Sequence, residues 1–190
     1  MIRKEIKTGI LMFIAMTLLT GAMYTAVITA LAQLIFPKQS AGSIIYGSHG
    51  TPVGSKLIGQ PFTGQGYFWP RPSATAGFPY NPMASGGSNL GPTNKELLDR
   101  ISTRVRALDA ADITASVPSD LVEGSGSGLD PDISLAGALI QVPRIARARH
   151  LPEAVVYGLI DTYTEGRWYL FLTVPRVNVL KLNLALDKLR

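Results

Sequence analysis

The pattern of apolar and charged positions divides the chain into two unlike parts. From Gly9 to Pro37 no side chain carries a charge, and the 27 residues Ile10 to Phe36 are almost wholly apolar, with glycine and threonine interspersed. As a helix this stretch would be about 40 Å long against a hydrocarbon core of about 30 Å, so a tilted membrane-spanning helix is expected over residues 10–36. A secretory signal peptide is the competing reading, because Ala30-Leu31-Ala32 before Gln33 has the small-x-small form of a cleavage site. The apolar stretch ahead of that site, Ile10 to Thr29, is 20 residues long, whereas signal cores run to about 7–15. Arg3, Lys4 and Lys7 precede the apolar stretch and only Lys38 follows it closely. The basic flank is the cytoplasmic one. This predicts a basic cytoplasmic N-terminus over residues 1–9, the membrane helix over 10–36 and an extracytoplasmic soluble domain over 37–190. Thr17, Gly21, Thr25 and Thr29 recur every four residues and form a candidate face for close approach of a partner helix, although such residues are also simply tolerated in membrane helices.

Beyond the anchor the periodicity changes several times. Residues 40–92 contain 11 of the 19 glycines and 7 of the 13 prolines, a density that predicts short strands and tight turns. Tyr67, Phe68, Trp69, Phe78 and Tyr80 give the region buried aromatic area that a flexible linker lacks. Asn81 to Asn89 is a polar run that would form a wide turn or a backbone cradle for an anion, without the lysine that a phosphate loop carries. Thr93 and Glu96 have capping-box spacing ahead of Leu97, Leu98, Ile101, Val105 and Leu108, which predicts a helix over 94–109. A helix capped by Ser134 and interrupted near Pro143 should follow the glycine-serine run 124–128. Pro152 then starts a helix that ends near Glu165-Gly166, and Trp168 to Val174 reads as a strand. The tail from Val177 to Leu189 carries leucines at both helical and alternating spacing, so helix and strand both fit. Lys188 and Arg190 sit where they would favour a helix dipole. The fold class is α+β: one N-terminal transmembrane helix, then a single mixed domain of short strands and several helices.

Charge and composition exclude more than they assign. Net charge is +5 overall, and 15 basic and 12 acidic residues remain after the anchor, too even a balance for a nucleic-acid binder. There is no cysteine, so disulfides, thiolate metal sites and cysteine nucleophiles are all ruled out. His49 and His150 have no second ligand at helical spacing, and Asp130 and Asp132 begin like a calcium loop that Pro131 and a missing distal glutamate spoil, leaving a local Asx turn. No phosphate loop, nucleophile elbow or Asp-Lys-Thr-Gly is present, so no catalytic residue, metal ligand or resident cofactor is expected. Arg144, Arg147 and Arg149 cluster within two turns and are a candidate contact for a phosphate or acidic partner, a solvated face being the plainer reading.

Several long runs resemble a known family. They are Gly54-Ser55-Lys56-Leu57-Ile58-Gly59-Gln60, then Tyr67 to Ala74 and Tyr80 to Asn94, with Ser125 to Ser134, Gln141 to Arg149 and Val177 to Asp187 following in the same order and spacing. Together they resemble the small C subunit of the bacterial Kdp-type high-affinity potassium-transporting P-type ATPase over nearly the whole chain. Leu135 departs from the pattern, where a proline would start the helix.

The resemblance implies a non-catalytic accessory subunit in the bacterial cytoplasmic membrane. Its partners would be an ATP-hydrolysing subunit, a potassium-channel-like subunit and a small membrane peptide, and those partners would handle ATP with magnesium and the potassium ion. It also implies assembly and a chaperone-like rise in the pump's apparent affinity for ATP. Direct contact with nucleotide conflicts with an extracytoplasmic domain, so that effect would travel by coupling through the assembly. A secreted or membrane-anchored extracytoplasmic binding module with no pump partner is the alternative.

Overall fold

The computed structural model describes residues 2–47, 50–113, 116–166 and 174–189. The expected strand from Trp168 to Val174 lies almost wholly outside the described residues, as do His49 and Arg190. The chain divides into two units, residues 1–44 and 45–190.

The first unit is built on a 34-residue helix, Ile2–Ile35. It runs as α1 (Ile2–Met16), a π-helical segment (Thr17–Tyr24) and α2 (Thr25–Ile35), followed by the short α3 (Pro37–Ser40). Its side chains are exposed along its length, and it is long and apolar enough to cross a membrane. The apolar period is thus read correctly, and the helix extends through the basic residues to Ile2.

The second unit is α+β. Strands β1 (Ile44–Tyr46) and β2 (Pro52–Ser55) pair with each other. From there to Asn94 the chain is irregular apart from a 3-10 turn at Pro82–Ala84, because prolines and glycines break any longer ladder. Helix α4 (Lys95–Asp109) follows, and its N-cap is Asn94, whose side chain accepts from Glu96 N at 2.8 Å, rather than Thr93. The 93/96 spacing therefore locates the helix start and misses the capping residue by one.

Strand β3 (Asp132–Ser134) leads directly into α5 (Leu135–Leu139), with Ser134 Oγ accepting from Gly137 N at 2.9 Å as the expected N-cap. Leu135 in place of proline leaves that cap intact. The helix breaks after Ile140 and resumes as α6 (Val142–Arg149), where Pro143 sits in the first turn, a position that needs no N–H. Then come α7 (Glu153–Tyr163), capped at Pro152, the two-residue β4 (Thr164–Glu165), β5 (Arg176–Asn178) and α8 (Val179–Asp187). The antiparallel sheet has the order β3-β5-β4, with Ile133 opposite Val177 and Thr164 opposite Val177 on the other edge. The ambiguous tail is both things in succession. Its alternating leucines misled because α8 is buried nearly all round, with Val179, Leu180, Leu182, Asn183, Ala185 and Leu186 inside.

Helix α7 packs on α6 and α8. Their apolar faces join Ile133, Val177, Leu108, Leu121 and Phe68 in one core. Phe68 is fully buried although residues 56–81 form no strand or helix. Two buried amides make that burial feasible. Asn183 accepts from Phe68 N at 2.8 Å and donates to Phe68 O at 3.1 Å, while Gln141 accepts from Trp69 N at 2.7 Å and donates to Trp69 O at 3.1 Å. Each side chain thus takes the place of a neighbouring strand. Replacing Gln141 with Leu strands a buried N–H and C=O, and is expected to cost about 2–6 kcal/mol of stability at about 1–3 for each unsatisfied group. Urea unfolding of the detergent-solubilised chain, followed by tryptophan emission, measures it; a loss under about 0.5 kcal/mol, within ordinary surface scatter, would refute this account of the core.

Candidate functional site

The three clustered arginines do not act as a group. Arg144 is buried at 5% exposure and lies over the Trp69 ring, its guanidinium carbon 4.5 Å from the centroid. It donates to the carbonyls of Gln65 and Tyr67 and to Gln141 Oε1 at 2.8 Å. Burial, and then the charge of nearby Arg104, pull its pKa down to about 10, so it stays protonated at neutral pH. Arg149 binds Gly66 O, Leu186 O and Asp187 Oδ1 (2.8 Å) and covers the Tyr67 ring. Arg147 pairs with the exposed Asp112. Two of the three thus hold the segment that contains Phe68 and Trp69, and the third sits on an exposed ion pair.

Residues that sequence reasoning missed complete that arrangement. Arg104 of α4 donates to Pro70 O at 2.9 Å and Leu121 O at 3.0 Å and faces the Trp69 ring 5.5 Å from the centroid. Tyr80 donates to Arg71 O, and burial pushes its hydroxyl up to about 12. Trp69 Nε1 and Arg144 both reach Gly64 O. Every carbonyl from Gly64 to Arg71 consequently accepts from a side chain. The available signal was a polar amide inside an apolar run, Gln141 between Ile140 and Val142 and Asn183 between Leu182 and Leu184, together with an arginine, Arg104, on the edge of an apolar helix face.

The acidic residues are likewise engaged. Asp130 Oδ1 accepts from Asp132 N at 3.0 Å, the expected Asx turn, and its other oxygen pairs with Arg71 at 2.9 Å. Asp132 pairs with Arg176 at 2.9 Å and accepts from Asn178 Nδ2 at 3.0 Å, although burial holds its carboxyl above the usual range. Among the described residues no group of three or more potential ligands is placed to hold a metal ion. His150 closes α6 in a left-handed conformation, φ 56°. A surface depression of about 700 Å³ runs beside α4, lined by Leu97, Ile101 and Arg104 together with Pro72 to Ala74 and Val122 to Gly124. Nothing in this set joins a nucleophile to a base.

The helical anchor carries the other candidate surface. In an α-helix each step of four residues overshoots a full turn by about 40°, so Thr17, Gly21, Thr25 and Thr29 would spiral off one face. The π-helical segment Thr17–Tyr24 is wider, so the same step falls short of a turn there and offsets the drift. Thr17 and Thr20 hydroxyls bond back to Phe13 O and Met16 O at 2.8 and 2.7 Å, satisfying themselves within the helix. A side chain at Gly21 would meet nothing within 4 Å.

Comparison with known proteins turns this geometry into an assignment. A family profile described as KdpC, the c chain of K+-transporting ATPase, matches residues 6–188. The potassium-transporting ATPase KdpC subunit of Geobacter sulfurreducens is 54% identical over 186 residues, 98% of either chain. That of Methylococcus capsulatus is 56% identical over 186 residues and 97% of either chain, and that of Methylibium petroleiphilum 54% over 184 residues and 96% of either chain. The chain belongs to the KdpC family. It is a non-catalytic subunit with an N-terminal membrane helix. The runs that resemble KdpC in sequence include those the fold ties together: Tyr67 to Ala74 is held by Gln141 and Arg144 from one run and by Asn183 from another.

Two outcomes follow. Gly21→Leu fills the open side of the anchor and is expected to lower recovery of other membrane subunits with this chain by several-fold, read by affinity purification from detergent; unchanged recovery makes that face inert. Glu165 is held below its ordinary value of 4.5 by the hydrogen bond from Lys181, with Lys56 also close. A carboxyl depressed on folding stabilises above its unfolded pKa, and that contribution is lost as pH falls through the folded value. Thermal melts from about pH 6 to 3 should therefore lose less stability in Glu165→Gln than in the parent chain, where Asp132, shifted upward, opposes the trend.

Proposed function

We propose that this chain is the accessory subunit of an ATP-driven potassium uptake complex in the bacterial cytoplasmic membrane, anchored by its N-terminal helix with residues 1–9 inside and residues 37–190 outside. The observation that carries the reading is the near full-length match to the c chain of K+-transporting ATPase. The basic residues Arg3, Lys4 and Lys7 ahead of the apolar helix support the orientation. In this reading the partners are an ATP-hydrolysing subunit, a potassium-channel-like subunit and a small membrane peptide, and ATP, magnesium and potassium are theirs to handle. The soluble domain is a stabilising cap near the potassium entrance.

The subunit acts as a catalytic chaperone that raises the hydrolysing subunit's apparent affinity for ATP. With the domain outside, that effect is a coupling between separate sites, which is typically worth about 5–150-fold in affinity. The engagement of Arg144 and Arg149 with the chain's own carbonyls supports coupling over direct phosphate binding.

Because the chain lacks cysteine, Ser102→Cys on the exposed side of α4 reports topology cleanly. Labelling by a membrane-impermeant maleimide in intact cells is expected. Protection that is lost when the cells are opened would place the domain inside, overturn the charge-based orientation and restore direct help with nucleotide binding. In the same assembly, deleting residues 40–190 is expected to abolish high-affinity potassium uptake; normal uptake would make the cap dispensable.

A further inference from the structure

Lys7 and Lys38 are the charged residues nearest the two ends of the apolar stretch, and Tyr24 lies 17 positions from the first and 14 from the second. Half a hydrocarbon core, about 15 Å, is spanned by about ten helical residues, so Tyr24 is deep in the bilayer whichever way the helix tilts. A tyrosine side chain is far shorter than that half-thickness, and its hydroxyl cannot reach the headgroups as it does near a membrane surface. The residue is 62% exposed, and its hydroxyl is matched by no hydrogen-bond partner among the described residues.

Neighbouring threonines meet the same demand within the helix. Thr17 and Thr20 donate to Phe13 O and Met16 O, and Thr25 Oγ1 lies 3.5 Å from Thr20 O. Tyr24 has no such option, because the rigid ring holds its hydroxyl away from the backbone of its own helix. The backbone around it is unusual too. The π-helical segment Thr17–Tyr24 ends on this residue, and such segments are rare and often mark functional sites. Leu19, Thr20, Met23 and Val27 line a depression together with Tyr24, a concave strip that carries a free hydrogen-bond donor.

We infer that the Tyr24 hydroxyl donates a hydrogen bond to an oxygen at mid-membrane depth on a helix of the potassium-channel-like subunit, which seats in that depression. The inference rests on the proposed subunit role and says which partner holds the anchor. Lipid is unsuited, since acyl chains offer no acceptor at this depth. A subunit that conducts an ion, by contrast, carries polar side chains and exposed carbonyls in the middle of the membrane. Reach selects the same subunit. Residues 36–44 tie the anchor helix to the domain proposed to cap the potassium entrance, and nine residues span at most about 32 Å, so the anchor stands beside the subunit that forms that entrance.

Two measurements in membranes holding the whole assembly test it. In the first, p-benzoylphenylalanine, a photoreactive residue of similar shape, replaces Tyr24 and is irradiated. A covalent adduct with the channel-like subunit is expected; an adduct with a second copy of this chain, with another subunit or with lipid, or no adduct, overturns the inference. In the second, Tyr24→Phe removes the hydroxyl alone. At the detergent concentration where half the parent chain still co-purifies with the channel-like subunit, the phenylalanine variant should be recovered about three- to tenfold less, the range that a hydrogen bond between membrane helices gives. The melting midpoint of its soluble domain should be unchanged. Undiminished recovery overturns the inference and leaves the subunit role standing, whereas a parent chain that never co-purifies overturns both.

Discussion

A peptide group that is buried must find a hydrogen-bond partner, and the core of this protein is arranged around one segment for which no sheet or helix supplies it. Residues 64–71 carry Phe68 and Trp69 inward, and their carbonyls are met one after another by side chains: Arg144, Arg149, Asn183, Gln141, Arg104 and Tyr80. An unsatisfied buried carbonyl or N–H costs about 1–3 kcal/mol, so leaving even a few unmet would consume a typical domain's margin of about 5–15. The helices α4, α6 and α8 are therefore oriented by polar constraints as much as by their apolar faces.

That arrangement explains why the arginines are unsuited to a foreign anion. A guanidinium has five donors in a plane, a geometry that suits carbonyls scattered along an irregular chain, and its flat face can lie on an aromatic ring at the same time. Arg144 and Arg104 do both at Trp69 without a carboxylate partner. A lysine with the same charge would reach fewer of these acceptors.

Local, short-range signals were legible in the sequence. The membrane helix, the Ser134 cap, the interruption at Pro143, the helix begun at Pro152 and the Asx turn at Asp130 each depend on residues within a few positions of one another. Long runs resembling a family gave the subunit assignment. Legibility ended where partners are far apart in the chain. Asn183 and Phe68 are separated by 115 positions, Gln141 and Trp69 by 72, and no periodicity links them. Arginines three and five residues apart looked like one patch on α6, but the helix turns Arg144 into the core and leaves Arg147 outside. The π-helical segment was hidden for a related reason, since Thr17–Tyr24 reads as ordinary helix in composition.

The distance between Phe68 and Asn183 also bears on the order of events during synthesis. Contacts of such separation are formed late, because the intervening chain must be closed into a loop before they return any free energy. Asn183 is made 115 residues after Phe68, so the peptide groups of Phe68 stay solvated until α8 has emerged. A ribosome-bound or truncated chain lacking α8 keeps Phe68 and Trp69 in water, and the anchor enters the membrane ahead of a domain that is still open. Closure of this part of the core therefore waits for α8 to pack on the chain made long before it.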